Sequence, residues 1–134
     1  MSESSVLGEF PPAYTALERA QLVTERAATV GFDWSEPAEV LAKIDEELRE
    51  VKDAMREGDE AHVREEIGDL LFAVVNLARK LGLDAEASLH GTNRKFATRF
   101  AYIESAVRAR GGRLEETSLE EMESLWSEAK SREG

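Results

Sequence analysis

Glu47 and Glu50, and again Glu66 and Asp69, are acidic residues three apart, and each pair sits at the edge of an apolar stripe on neighbouring helical segments. On a helix advancing about 100° per residue, positions i and i+3 share a face, so each pair can present two carboxylates to one point. Oxygen donors converging from two helices make a metal site. The chain has two histidines, His62 and His90, and no cysteine, so such a site suits a hard cation, Mg²⁺ or its substitute Mn²⁺, over zinc.

With Glu47 as the origin of its helix, Glu50 falls near 300° and Lys43 near 320°, beside an apolar arc from about 20° to 120°. With Glu66 as the origin of the next, Asp69 falls near 300°, beside an arc from about 20° to 140°. Two antiparallel helices packed through those arcs would bring the acids together along one seam, where like charges need a cation. Asp69 weighs most, because it lies beside the apolar run Leu70 to Ala78, and Asn76 extends the polar line one heptad on. Glu46 stands close enough to act on an activated water. An isolated Glu-x-x-Glu is ordinarily a solvated ion-pair ladder; two such pairs on adjacent helices favour metal.

Lys95 and Arg99 are four residues apart, a like-charge spacing that weakens a helix unless an anion sits between them. A phosphate chain would serve, and solvated surface is the plain alternative. Trp126 and Lys130 repeat the spacing near the C-terminus; Trp126, like Trp34, is either core or a platform for a base. Glycine-rich phosphate loops, Gly-x-Ser-x-Gly and His-Glu-x-x-His are absent from the sequence, so backbone cradling of phosphates is not expected.

The elements that must carry these residues read as helices throughout. Residues 1–12 form a flexible lead-in, and one domain follows over residues 13–134. A first helix is expected from Tyr14 to Val30, stopped by Gly31, and Ser35 is placed to cap a second with Pro37 in its first turn. The second helix runs to Glu57 with Val40, Leu41, Ile44, Leu48, Val51 and Met55 as its stripe. Gly58 and Asp59 break the pattern before a third, ending at Gly82, which carries Ile67, Leu70, Leu71, Val74, Leu77 and Leu81. The short connection makes the pair an antiparallel hairpin. Because the third helix is apolar almost all round, its surplus face, with Phe72 and Val75, is assigned to another subunit. A fourth helix runs from Asp84 to Gly111-Gly112, and a fifth opens on a capping box, Ser118 to Glu121. The fold class is all-α, a bundle of about five helices built on the hairpin and completed by dimerisation.

At 134 residues, 42% hydrophobic and 34% charged, the chain has the composition of a globular domain. A net charge of −11 repels nucleic-acid polymers and anionic lipid. Neither a basic leader nor an apolar run near the roughly 18 residues that span a bilayer is present, so the expected location is the cytoplasm.

Three stretches carry a family likeness: Lys43-Ile-Asp-Glu-Glu-Leu-Arg-Glu-Val51, Glu65-Glu-Ile-Gly-Asp-Leu-Leu-Phe-Ala-Val-Val-Asn-Leu-Ala-Arg79 and Thr92-Asn-Arg-Lys-Phe-Ala-Thr-Arg-Phe100. With Glu-Glu-x-x-Glu followed by Glu-x-x-Asp, the chain resembles the MazG family of nucleoside triphosphate pyrophosphohydrolases over about residues 30 to 132. The resemblance implies an all-α enzyme that holds Mg²⁺ through Glu47, Glu50, Glu66 and Asp69 and hydrolyses a nucleoside triphosphate to the monophosphate and pyrophosphate. It also implies that Lys43, Lys95, Arg99, Trp126 and Lys130 contact the nucleotide, with Glu46 positioning or deprotonating the attacking water. Broad, house-cleaning specificity is expected; a narrower dUTPase, dCTPase or phosphoribosyl-ATP pyrophosphohydrolase is the near alternative, and an inactive helical oligomerisation or adaptor module the distant one. Well-known members carry two tandem copies of the domain, and this chain has one, most like the active C-terminal copy. Members usually form homodimers.

Overall fold

The computed structural model describes residues 5–133, which are helical with no strand among them. The elements in order are α1 (Ala16–Ala28), α2 (Pro37–Glu57), α3 (Glu60–Lys80), α4 (Ala85–Ala109), a 3₁₀ turn (Leu114–Glu116) and α5 (Leu119–Arg132). They form two compact units, one ending at Ser88 and the other beginning at Leu89. Among the described residues no helix is long and apolar enough to cross a membrane.

In the first unit, α2 and α3 form the expected hairpin and α1 packs on α3. Gly58 makes the hairpin turn possible: its φ is +75°, a left-handed C-cap that a side chain would disfavour. Asp59 then opens α3 by accepting from the amides of Ala61 and His62. Thr15 and Glu18 close a full capping box at the start of α1, a Thr-x-x-Glu signature legible in the sequence but passed over there. Gln21 ties α1 to the turn after α3, donating to the Leu83 carbonyl at 3.0 Å and accepting from the Ala85 amide at 2.8 Å. Within the expected lead-in, Arg26 bonds the carbonyls of Leu7 and Glu9 and lies over the Phe10 ring; the part over residues 1–4 lies outside the described residues.

Ser35 does not cap α2. The N-cap is Glu36, with no side-chain bond to the helix, and the Ser35 hydroxyl donates to the Glu39 carboxylate instead. Pro37 at the first helical position needs no donor, so the end tolerates this.

The seam between α2 and α3 is rotated from the one the apolar stripes predict. On α2 the buried residues are Val40, Glu47, Val51 and Ala54, an arc from about 340° to 40° centred on the carboxylate itself. Leu41, Leu48 and Met55, at the heart of the expected stripe, are exposed, as are Ile67, Leu71, Val74 and Leu81 on α3. Small residues explain the rotation: Ala54 and Ala73 are buried on this side of the two helices, and alanine lets the helices approach closely where leucine would hold them apart. Val75, assigned to a subunit contact, is buried within its own chain at 3% exposure. The third helix is thus covered on two sides, by α2 and by α1, and its large exposed apolar residues are the heptad-spaced line Ile67, Leu71, Val74, Leu81 and, away from it, Phe72.

In the second unit α4 and α5 run antiparallel, joined by Arg110 to Glu121, Tyr102 to Glu128 and Arg99 to Glu133. Ile103, Val107 and Ala129 are its buried apolar residues. Gly111, at φ +75°, follows the end of α4, and Ser118 caps α5 by accepting from the Glu121 amide.

Candidate metal and nucleotide site

The rotated seam puts Glu47 and Glu66 inside the protein. Glu47 is 5% exposed, and the Glu66 side chain 12%. Asp69, weighted most heavily from sequence, is instead exposed, because about 300° on α3 lies at the rim of the seam and not at its centre. Glu47, Glu66 and Asp69 nonetheless offer oxygens that all lie within 4.8 Å of one another. Glu50 stands near them: the Glu66 carboxylate first, then desolvation and the Glu47 carboxylate, push its pKa up to about 7. Three of the four acids expected to share one point, Glu47, Glu66 and Asp69, thus lie together, with Glu50 close enough to feel the charges of Glu66 and Glu47.

Glu47 and Glu66 each have one satisfied oxygen and one buried orphan. Lys43 Nζ approaches Glu47 Oε1 at 2.9 Å, and His62 Nε2 approaches Glu66 Oε1 at 3.1 Å. Glu47 Oε2 and Glu66 Oε2 have no hydrogen-bond partner, a state that costs on the order of 1–3 kcal/mol for a polar atom and more for a charged one. Lys43 and His62 are both held toward their protonated forms, Lys43 by Glu47 and His62 first by Glu57 and then by Glu66. Even with Lys43 and His62 beside them, the acids leave negative charge that a divalent cation fits, and an all-oxygen donor set suits Mg²⁺ or Mn²⁺.

Glu46 stands outside this group. Its side chain is 47% exposed and faces Lys43 Nζ at 3.7 Å. Lys43 thereby bridges the acid cluster and Glu46.

Beside the acids opens a cavity of about 670 Å³, within the range for a small ligand. Glu47, Asp69 and Lys43 border it, and Val23, Ala27, Val40, Phe32, Trp34, Phe72 and Asn76 line the rest. The linker after α1 is its outer wall, fastened by Asp33, which pairs with Arg79 Nη2 at 2.5 Å and Lys80 Nζ at 3.0 Å. Those partners, Arg79 foremost, hold the Asp33 carboxyl down to about 2. The sequence marked Trp34 and Asn76 but missed Phe32, Asp33 and Arg79. Asp33 and Arg79 are 46 positions apart, so no local pattern pairs them.

Lys95, Arg99, Trp126 and Lys130 belong to the second unit and cluster there. Arg99 is 9% exposed and lies 5.2 Å over the Trp126 ring, whose other neighbour is Phe96. The anion demanded by the Lys95/Arg99 spacing is supplied by the chain: Glu133 accepts from Arg99 Nε at 3.0 Å and Nη2 at 2.8 Å. Arg99, with Lys95 and Lys130 as lesser influences, lowers the Glu133 pKa.

Comparison with known proteins gives the chain its relatives. The family model for the MazG nucleotide pyrophosphohydrolase domain matches residues 35–103, which hold all four acids, Lys43 and the Lys95/Arg99 pair. The nucleoside triphosphate pyrophosphohydrolase/pyrophosphatase MazG of Thermotoga maritima is 43% identical over 128 residues, covering 96% of this chain and 49% of that protein. The nucleoside triphosphate pyrophosphohydrolase of Escherichia coli K12 is 44% identical over 134 residues, covering 98% of this chain and 51% of that protein. The chain thus spans about half the length of the curated relatives it matches. A family match over half of the chain, on the segment that builds the acid cluster, places this protein in the MazG nucleotide pyrophosphohydrolase domain family.

Proposed function

We propose that the protein is a Mg²⁺-dependent nucleoside triphosphate pyrophosphohydrolase, and that Glu47, Glu50, Glu66 and Asp69 hold the metal. The observation that carries this reading is the pair of orphaned carboxylate oxygens, Glu47 Oε2 and Glu66 Oε2, buried beside an aromatic-lined cavity. A divalent cation gives both atoms a partner of the right charge. A divalent cation bound there neutralises triphosphate oxygens and lowers the pKa of water.

The protein's own groups account for the remaining chemistry. The cavity accepts base and sugar, and Lys43 at its border offers a proton-rich ammonium to the phosphates. Water oxygen bonds to the α-phosphorus, the bond to the α,β-bridging oxygen breaks, and pyrophosphate leaves with that electron pair. Glu46, exposed and beside Lys43, is the group to orient or deprotonate the water. Lys95, Arg99, Trp126 and Lys130 are carried as nucleotide contacts on the family likeness and on their clustering, with Glu133 an anion that phosphate oxygens would replace.

The exposed line Leu41, Leu48, Met55 on α2 and Ile67, Leu71, Val74, Leu81 on α3 is heptad-spaced, the pattern of a helix seam awaiting a partner. A second copy of the hairpin supplies the same pattern, so the working form is a homodimer. We place it in the cytoplasm, where nucleoside triphosphates are found.

Pyrophosphate release from the eight common ribo- and deoxyribonucleoside triphosphates, with oxidised and deaminated variants, tests the activity and ranks it as broad or narrow. Activity that needs Mg²⁺ and disappears in Asp69→Asn and Glu66→Gln supports the site. No turnover of any nucleotide, with melting curves indifferent to Mg²⁺, would leave a helical adaptor module as the surviving interpretation.

A further inference from the structure

Asn76 lines the cavity on the same helix as Asp69, two turns further on, about 10.5 Å along the axis. With phosphates at the acids, it therefore faces the base end of a bound nucleotide. Its amide has one possible orientation. Arg79 Nε reaches it at 2.9 Å, and a guanidinium can only donate, so the oxygen Oδ1 faces Arg79 and the NH₂ group faces away. That NH₂ has no partner among the described residues. Arg79 is itself immobilised, 12% exposed and gripped by Asp33, whose Oδ1 also accepts from the Trp34 amide at 2.8 Å. The chain of bonds from linker to Asn76 thus fixes a pure hydrogen-bond donor in an apolar and aromatic wall.

Resting on the pyrophosphohydrolase reading, we propose that Asn76 is a specificity-determining residue that donates to a carbonyl oxygen on the far edge of the base, with Asp33 and Arg79 as positioning residues. The favoured substrates are then nucleotides with an oxo group there, as in uracil, hypoxanthine or guanine. Bases with an amino group at that position, cytosine and adenine, would set donor against donor, and each buried mismatch costs about tenfold in binding.

Equilibrium binding of nucleoside 5′-monophosphates to the protein in Mg²⁺, measured by calorimetry, tests this separately from catalysis, because a monophosphate has no anhydride bond to cleave. The wild type should bind UMP over CMP, and IMP over AMP, by about tenfold. Asn76→Asp, which replaces the donor by an acceptor of the same shape, should reverse or abolish both preferences, and Asn76→Ala should level them, with melting curves confirming that each variant is folded. Asp33→Asn should shrink both preferences and Asp33→Glu restore them, which a purely structural role for Asp33 would not produce. Equal affinities within each pair in the wild type, preferences unchanged in Asn76→Asp, or no binding of any monophosphate would each overturn the inference. Mg²⁺-dependent pyrophosphate release would stand untouched by any of these, and its absence would strike the enzymatic reading alone.

Discussion

Replacing Asp69 by asparagine should do two opposite things, stabilising the metal-free protein and removing its response to metal. Asp69 is exposed, and among the described residues it has no ion-pair partner, whereas Glu47 has Lys43 and Glu66 has His62. Its oxygen lies within 4.8 Å of oxygens on both buried acids. Two unit charges at 4.8 Å repel by about 1 kcal/mol in water and about 3.5 kcal/mol at an effective dielectric of 20. Exposure of Asp69 and the cations beside its neighbours favour the low end, so the net relief is about 1–2 kcal/mol, a rise in melting temperature of about 3–8 °C. The assay is calorimetric melting in a chelator at about pH 8, where Glu50, with its pKa near 7, is ionised. Adding Mg²⁺ to one hundred times its Kd should then stabilise the wild type by about 2.7 kcal/mol and the variant hardly at all. A variant that melts lower than wild type in the chelator, or keeps the full Mg²⁺ shift, refutes the picture of a cation-seeking cluster.

The pKa of Glu50, raised from 4.5 to about 7 in the metal-free protein, gives a pH signature. A raised carboxyl stabilises the fold fully below its unfolded value and loses that contribution as pH rises through the folded one, so metal-free stability should fall between about pH 4.5 and 7. Mg²⁺ affinity should rise over the upper part of that range, as titrations on either side of neutrality would reveal. Asp33, held down from 3.8 to about 2, behaves oppositely: its contribution is present above 3.8 and lost as pH falls toward 2, so acid denaturation curves of wild type and Asp33→Asn should converge at the acid end. Glu133→Gln should free the Arg99 guanidinium, and binding of inorganic tripolyphosphate should tighten by a factor of a few; weaker binding would mean that Glu133 aids the anion site. Paired changes Leu48→Glu and Leu71→Glu, at residues 43% and 56% exposed, should leave the helical content intact while sedimentation gives the 14.9 kDa mass of one chain. A wild type that already sediments at that mass removes the case for a dimer.

Helix boundaries were legible because their signals are local. Pro37 at the first turn of α2, the left-handed Gly58 at its end and the Ser118 cap of α5 each act through bonds spanning a few residues, and those bonds do not depend on what packs where. The approach of Glu47 to Glu66 and Asp69 was legible for a related reason: i, i+3 spacing on two helices joined by a tight turn leaves few ways to place the acids apart. The Lys95/Arg99 spacing asked for an anion, and the one the structure pairs with Arg99, Glu133 at 34 positions' separation, lay beyond any helical repeat.

By itself, the sequence determined the five helices, the hairpin and the residue types that seek a hard cation, because helical periodicity and capping are written in neighbouring positions. Tertiary structure alone decided which face of the hairpin closes. Hydrophobic burial is non-directional, so the stripe of leucines marked an apolar side without naming its partner, and the small Ala54 and Ala73 drew the helices together over Glu47 instead. That rotation buries Glu47, draws Glu66 in beside it, leaves Asp69 at the rim and turns the leucines outward, while Asp33 reaches across to Arg79 to shape the cavity beside the acids.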